Sequence, residues 1–248
     1  MARIVHLSDL HFGRDRPELA GPLVMAVNAL SPDLIAVSGD LTQRARNRQF
    51  AAAAALLERM AAPKLVVPGN HDVPLYNVLL RMGHPFDRFR RRFGPEMEPV
   101  AHLSGGVAVI GVNSVDRWAH QRGRMDRDRT ARVAGRLSAL PQEMLKVVVM
   151  HHPFIHPPGS DKAPMEGARR AARAFSKAGA DIVLSGHLHS WGAETFDLPG
   201  GRSLLFVQAG TGLSTRVRGE PNDFNLIDCA PGMARVPRHC AREDAAGY

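Results

Sequence analysis

Aspartate, asparagine and histidine recur in five short pieces of this 248-residue chain: Asp9-Leu10-His11, Gly39-Asp40, Gly69-Asn70-His71-Asp72, His151-His152-Pro153 and Gly186-His187-Leu188-His189. These are the oxygen and imidazole ligands taken by hard and borderline metal ions, and no thiolate accompanies them. Each piece is weak alone. Asp9 and His11 could belong to a turn, and Asp40 could cap a helix. His187 and His189, at i and i+2, would project the same way from a strand as a surface pair. Gly69-Asn70-His71-Asp72 is stronger, because it directly follows a strand ended by proline. Together the pieces supply ligands for two metal ions, the equipment of a hydrolase that polarises its substrate and activates water.

What must position them can be read from the residues in front. Each piece ends an apolar, β-prone run: residues 3–7, 34–37, 65–67, 147–150 and 182–184. In an open α/β fold, groups placed just after the strands converge at the carboxyl edge of the sheet. Asp15-Arg16-Pro17-Glu18 opens a helix with Leu19, Leu23, Val27 and Leu30 on one face, stopped at Ser31-Pro32. An alanine-rich helix follows over about residues 47–60. Residues 74–99, with four prolines and a basic cluster at Arg88, Arg90, Arg91 and Arg92, read as a helical excursion over the site. A strand at 107–112 and helices at 126–140 and 164–178 come next. Strands alone follow, at about 192–196, 203–208 and 223–228, with an irregular tail from Ala230. The combination predicts an α/β fold over residues 1–248 as one domain, a four-layer αββα sandwich. Two mixed β-sheets would form its centre, with the metal site at the strand carboxyl ends.

The composition bounds the function. No apolar stretch is long enough to span a bilayer, and no signal-peptide pattern opens the chain. With two cysteines, Cys229 and Cys240, a cytoplasmic protein with reduced thiols is expected. The net charge of +8 is nearly all arginine, lysine standing only at 64, 146, 162 and 177. Such a bias follows genome composition or steers anionic substrates as readily as it marks a nucleic-acid partner, which is the weaker reading.

The ordered set D-x-H, G-D, G-N-H-D, H-x-P, G-H-x-H resembles the calcineurin-like metallophosphoesterase superfamily, over residues 9–189. The resemblance implies the sandwich fold and two transition-metal ions, manganese, iron or zinc. Asp9, His11 and His189 would hold the first ion, and Asn70, His151 and His187 the second. Asp40 would bridge, its two oxygens each facing one cation, and hydroxide between the ions would attack phosphorus. His71 would contact the phosphate and protonate the departing oxygen, with Asp72 orienting it or bracing the turn. His152 either holds a neighbouring ligand or fills space beside Pro153. Gly39-Asp40-Leu41-Thr42-Gln43-Arg44 and the final Asp72 depart from the protein-phosphatase pattern and look closer to bacterial phosphodiesterases, similar to class III cyclic-nucleotide enzymes. A cytoplasmic phosphodiesterase acting on a small phosphoester is therefore expected. The alternatives are a DNA exonuclease, a phosphomonoesterase and a non-catalytic scaffold. A homodimer is what base rates alone supply.

Specificity is expected from segments over the crevice. They are Tyr76 and Asn77, the Arg88–Arg92 cluster, Asn113-Ser114, residues 156–164, and residues 214–222. In the last, Arg216 and Arg218 either form a solvated basic hairpin or bind a second phosphate or acidic group.

Overall fold

The computed structural model describes residues 1–156, 160, 162–241 and 248. In chain order the first half comprises β1 (Ala2–Leu7), α1 (Pro17–Ala29), β2 (Leu34–Val37), α2 (Asn47–Glu58), β3 (Lys64–Val66), a 3-10 turn (Asn70–Asp72), α3 (Val78–Gly83), α4 (Asp87–Phe93), β4 (Val100–Leu103) and β5 (Val107–Val112). The second half comprises α5 (Arg127–Ala139), β6 (Leu145–Met150), α6 (Ala168–Lys177), β7 (Ile182–Ser185), β8 (Gly192–Phe196), β9 (Leu204–Gln208), β10 (Asp223–Ala230), β11 (Met233–Arg235) and β12 (Arg238–Cys240).

These strands form two mixed sheets. The first runs β11-β10-β1-β2-β3, with β12 also on β10, and the second β4-β5-β6-β7-β9-β8. β1, β2 and β3 are parallel, as are β5, β6, β7 and β9, so their carboxyl ends collect on shared edges. Strand residues alternate between faces, which builds three apolar layers from nearly continuous hydrophobic runs. Val5, Leu7, Ile35 and Val37 pack outward on Leu19, Leu23, Val27 and Phe50 of α1 and α2. Ile4, Leu34 and Ala36 face inward onto Val109, Val147 and Val149 of the other sheet. Ile110, Val148 and Met150 turn outward onto Val133, Leu137 and Phe175 of α5 and α6. Helix, sheet, sheet, helix is the four-layer αββα sandwich.

Three expectations are corrected. α4 does not lie over the site: Phe89 and Phe93 stack on Phe50 of α2, with ring centroids 6.4 and 6.5 Å away, which turns Arg90, Arg91 and Arg92 to solvent. Arg88 is spent on the Ala45 carbonyl at 2.8 Å. The helix expected from 164 starts at Ala168, because Gly167 before it is left-handed at φ 79°. The tail beyond Ala230 is not irregular throughout, since β11 and β12 both pair antiparallel with β10. β4, which pairs antiparallel with β5, was hidden by its short exposed-intermediate alternation. No helix among the described residues is long and apolar enough to cross a membrane.

One buried cation ties the second helical layer together. Lys146, on β6, is 2% exposed. Its Nζ donates to the carbonyls of Leu137 at 2.8 Å, Leu140 at 3.2 Å and Ala178 at 3.5 Å, at the carboxyl ends of α5 and α6. Leu137 O also accepts from Leu140 N at 3.3 Å, and all three carbonyls lie at the negative end of a helix dipole. Lys146→Met keeps the volume and strands the carbonyls. It should lower unfolding free energy by about 1–3 kcal/mol, read as a fall in urea midpoint. An unchanged midpoint would refute the capping role.

Candidate metal centre

The five polar pieces meet where the two sheets' carboxyl edges face each other. Asp9 and His11 follow β1, Asp40 follows β2, Asn70 and His71 follow β3, His151 follows β6, and His187 and His189 follow β7. Such convergence demands close backbone approach, and the motif glycines permit it. A Cβ on Gly69 would lie 2.2 Å from Asp40 Oδ1, and one on Gly186 would lie 1.8 Å from Ser8 Oγ and 2.4 Å from Asp9 Oδ2. Glycine in these pieces is therefore a spatial requirement.

The backbone also bends sharply there. Asp9, His11, Asp40, His187 and His189 all have positive φ, between 47° and 74°. His187 and His189 thus sit on a left-handed turn, and the expectation that they project from a strand does not hold. One inter-sheet and one local hydrogen bond hold the bend: Asp9 Oδ2 accepts from His187 N at 2.9 Å and from its neighbour Ser8 Oγ at 2.6 Å.

Two groups of ligand atoms result. Asp9, His11, Asp40 and His189 each offer one atom within 4.8 Å of the others. His11 Nε2 stands 3.1 Å from His189 Nε2, 3.3 Å from Asp9 Oδ1 and 3.6 Å from Asp40 Oδ2. In the second group His151 Nε2 lies 3.1 Å from Asn70 Oδ1, 3.2 Å from His187 Nδ1 and 3.4 Å from Asp40 Oδ2. Asp40 belongs to both, but through Oδ2 alone. Its Oδ1 accepts the His71 amide at 2.8 Å, where the sequence led us to expect both oxygens to face the centre.

A pair of cations fits this donor set. Asp9 Oδ1 is buried and accepts no hydrogen bond, an expensive omission unless a positive charge is to face it. The imidazoles are aimed as ligands: His189 Nδ1 is 2.8 Å from the Arg216 carbonyl and His151 Nδ1 2.8 Å from the Ser38 carbonyl, leaving each Nε2 for the centre. His152 lies within ligand range of His151 and His187. However, its Nδ1 is 2.9 Å from Ser114 Oγ and its Nε2 2.9 Å from the Gln121 carbonyl. With both nitrogens engaged, it buttresses the rings of His151 and His187, 4.8 and 4.7 Å away.

The centre gathers two buried carboxylates among imidazoles. Burial alone would raise Asp9 and Asp40, but the surrounding imidazoles hold both carboxyls well below the usual range. Asp72 braces the turn and does not touch the His71 ring. It accepts from Leu41 N, Thr42 N, Thr42 Oγ1 and Gly69 N at 2.9–3.2 Å. His71 holds its Nδ1 2.9 Å from the Gln43 carbonyl, and Arg216 Nη1 donates to Nε2 at 3.0 Å. Burial lowers its pKa to about 4, against the pull of Asp40.

The remaining candidates divide. Asn77 caps α3, its Oδ1 accepting from Leu80 N at 2.9 Å, and Asn113 Oδ1 accepts Val115 N at 3.0 Å, so both serve turns. Tyr76 lies under the Arg44 guanidinium, 5.7 Å from ring centre to Cζ. Residues 157–159 and 161 lie outside the described residues, but Lys162 reaches the centre and donates to the His187 carbonyl. Sequence reasoning missed Ser8, Ser38, Gln43, Arg44 and Lys162 as supports. A serine directly after a strand, as at Ser8 and Ser38, is the one signal that could have found two of them.

Comparison with known proteins agrees with this geometry. A family model described as calcineurin-like phosphoesterase matches residues 2–191. Glycerophosphodiester phosphodiesterase GpdQ of Enterobacter lignolyticus (strain SCF1) is 32% identical over 80 residues, 28% of this chain and 29% of that protein. The match thus spans less than a third of the curated relative's length. Among solved structures, purple acid phosphatase PPD1 from yellow lupin (Lupinus luteus) seeds superposes with TM-score 0.72 at 13% identity, covering 96% of this chain and 51% of its own. A dimetal phosphatase from Danio rerio gives TM-score 0.70 at 11% identity, covering 96% of each chain. These two show a shared fold.

Metal binding should release a proton at neutral pH. Burial lowers the pKa of His151, but the Asp40 carboxylate more than offsets this and brings it up to about 9. The ring is therefore protonated at pH 7 and must become neutral to act as a ligand. Calorimetric titration with manganese, in two buffers of different ionisation enthalpy, should show about one proton released at pH 7, fading above pH 9. A heat independent of buffer would contradict this assignment.

Proposed function

The chain belongs to the calcineurin-like phosphoesterase family, and from that premise we propose that it is a binuclear metallohydrolase of phosphodiesters. The observation that carries the reading is the single Asp40 oxygen, 3.6 Å from His11 Nε2 and 3.4 Å from His151 Nε2, shared by two ligand groups. We assign Asp9, His11 and His189 to one ion, Asn70, His151 and His187 to the other, and Asp40 to both. The all-oxygen-and-nitrogen donor set suits manganese, iron or zinc. The short match to a glycerophosphodiester phosphodiesterase supports a diester, as does the Thr42-Gln43 sequence after Asp40.

When bound, the cations supply Lewis-acid polarisation of the phosphoryl oxygens and lower the pKa of the attacking water. The protein's own groups do the rest. Asp9 and Asp40, both buried, would offset part of the ions' charge. His71 is held by its amide on Asp40 and by Nδ1 on the Gln43 carbonyl, so Nε2 is the atom presented to substrate. At rest that nitrogen accepts from Arg216 and carries no proton. To protonate the departing oxygen it must first take up a second proton, which a bound phosphoester anion favours.

Three experiments test the reading. Purified protein should cleave bis(p-nitrophenyl) phosphate faster than p-nitrophenyl phosphate with manganese, and lose both activities with chelator. Asp40→Ala should lose the ions and turnover together. Faster cleavage of the monoester would make it a phosphatase, and activity surviving in Asp40→Ala would remove the shared-ligand centre. His71→Gln should cost roughly 100-fold or more in kcat with an alkyl leaving group, but far less with p-nitrophenolate, which departs without a proton. Equal losses for both leaving groups would exclude proton donation and leave His71 a phosphate contact.

A further inference from the structure

Two guanidinium groups meet on the His71 ring without a carboxylate in direct contact, the nearest negative charges being Asp40 and Asp9 of the centre. Arg216 Nη1 lies 3.0 Å from Nε2, and Arg44 Nη1 lies 3.4 Å from Nδ1. Both arginines are half-buried, and neither forms an ion pair with a carboxylate among the described residues. Lys162 reaches the same rim through the His187 carbonyl. Assembling like charges in a partly desolvated cleft is unfavourable unless an anion joins them.

The placement is built into the fold. Arg216 lies on the loop between β9 and β10, beyond residues 2–191 that match the family. Asn222, fully buried, closes that loop, its Nδ2 donating to Thr211 O at 3.1 Å, Thr211 Oγ1 at 3.0 Å and Ser214 O at 2.9 Å. Arg216 N donates to Ser214 Oγ at 3.0 Å, while its carbonyl lies 2.8 Å from His189 Nδ1. One residue thus supports a metal ligand with its backbone and reaches His71 with its side chain. The loop is no solvated hairpin.

Charge counting says what the arginines are for. Two divalent ions and a hydroxide against Asp9 and Asp40 leave about +1, which already balances the one negative charge of a phosphodiester. The guanidiniums are surplus to that group, and their planar donor forks suit a phosphate. We infer that Arg216 and Arg44 form a clamp for a second phosphate, so that the preferred substrates are phosphodiesters carrying another phosphoryl group near the scissile one. This deepens, and rests on, the phosphodiester reading above.

Ligands that are not cleaved separate the clamp from the chemistry. A series of α,ω-alkanediol bisphosphates of two to four carbons is compared with the alkyl monophosphates of equal length, with manganese in excess. Binding is read as inhibition of bis(p-nitrophenyl) phosphate hydrolysis and, without need of turnover, as the thermal shift of manganese-loaded protein. At least one bisphosphate should bind about tenfold more tightly than its monophosphate. Arg216→Gln and Arg44→Gln should each collapse that ratio, and Arg91→Gln, on the exposed side of α4, should preserve it. Should no bisphosphate be preferred, or the preference survive in Arg216→Gln, the clamp is refuted. A protein that cleaves no diester yet discriminates in the thermal shift would overturn the phosphodiester reading and support the clamp.

Discussion

Everything at the centre turns on one carboxylate oxygen. Asp40 Oδ2 stands between His11 Nε2, from the loop after β1, and His151 Nε2, from the loop after β6. The first belongs to one sheet and the second to the other, so this oxygen is where the halves of the sandwich meet chemically. Its freedom to face both depends on Oδ1 being occupied, which the His71 amide ensures. That amide is in place because Asp72 gathers Leu41, Thr42 and Gly69 around itself. A chain of hydrogen bonds between neighbouring loops thereby fixes a geometry that the flexible side chain of Asp40 would not keep.

The second constraint is conformational. Five residues in the assigned ligand set hold left-handed backbone, among seven non-glycine residues that do so in the described structure. Such conformations cost about 1–3 kcal/mol each, so the set costs on the order of 5 kcal/mol at least. That is a sizeable fraction of a domain's net stability. The packed layers on either side of each sheet, together with cross-loop bonds such as His187 N to Asp9 Oδ2, hold the turns against relaxation. The left-handed turn also aims His187 and His189 at separate ligand groups, which the i, i+2 alternation of a strand would not explain.

Much of this was legible in the sequence because two signals coincided. The apolar runs before each motif read as buried strands, and their polar ends had the right ligand chemistry. Continuous runs such as residues 147–150 reported burial on both faces, hence two sheets covered by helices. What could not be read depended on tertiary contact. Whether the arginines of α4 faced the site was decided by Phe89 and Phe93 docking on Phe50. The role of His152 was decided by Ser114, 38 positions away. β11 and β12 are three residues each, too short for a periodic signal, and exist because β10 offers them an edge. Whether Asp40 shared one oxygen or two has no counterpart in the sequence at all.

The distance along the chain between cooperating ligands has a consequence for how the protein acquires its ions. Asp9 and His187 are joined by a hydrogen bond yet lie 178 positions apart. The central strand β1 gains its antiparallel neighbour only from β10, with Ile4 opposite Ile227. At roughly 5–20 residues per second, on the order of ten seconds or more separates synthesis of the first ligands from that of the last. Throughout that time Asp9 and His11 lack the partners that β7 and the loop after it supply. A centre that joins Asp9 to His187 can therefore assemble only after both ends of this span have been made.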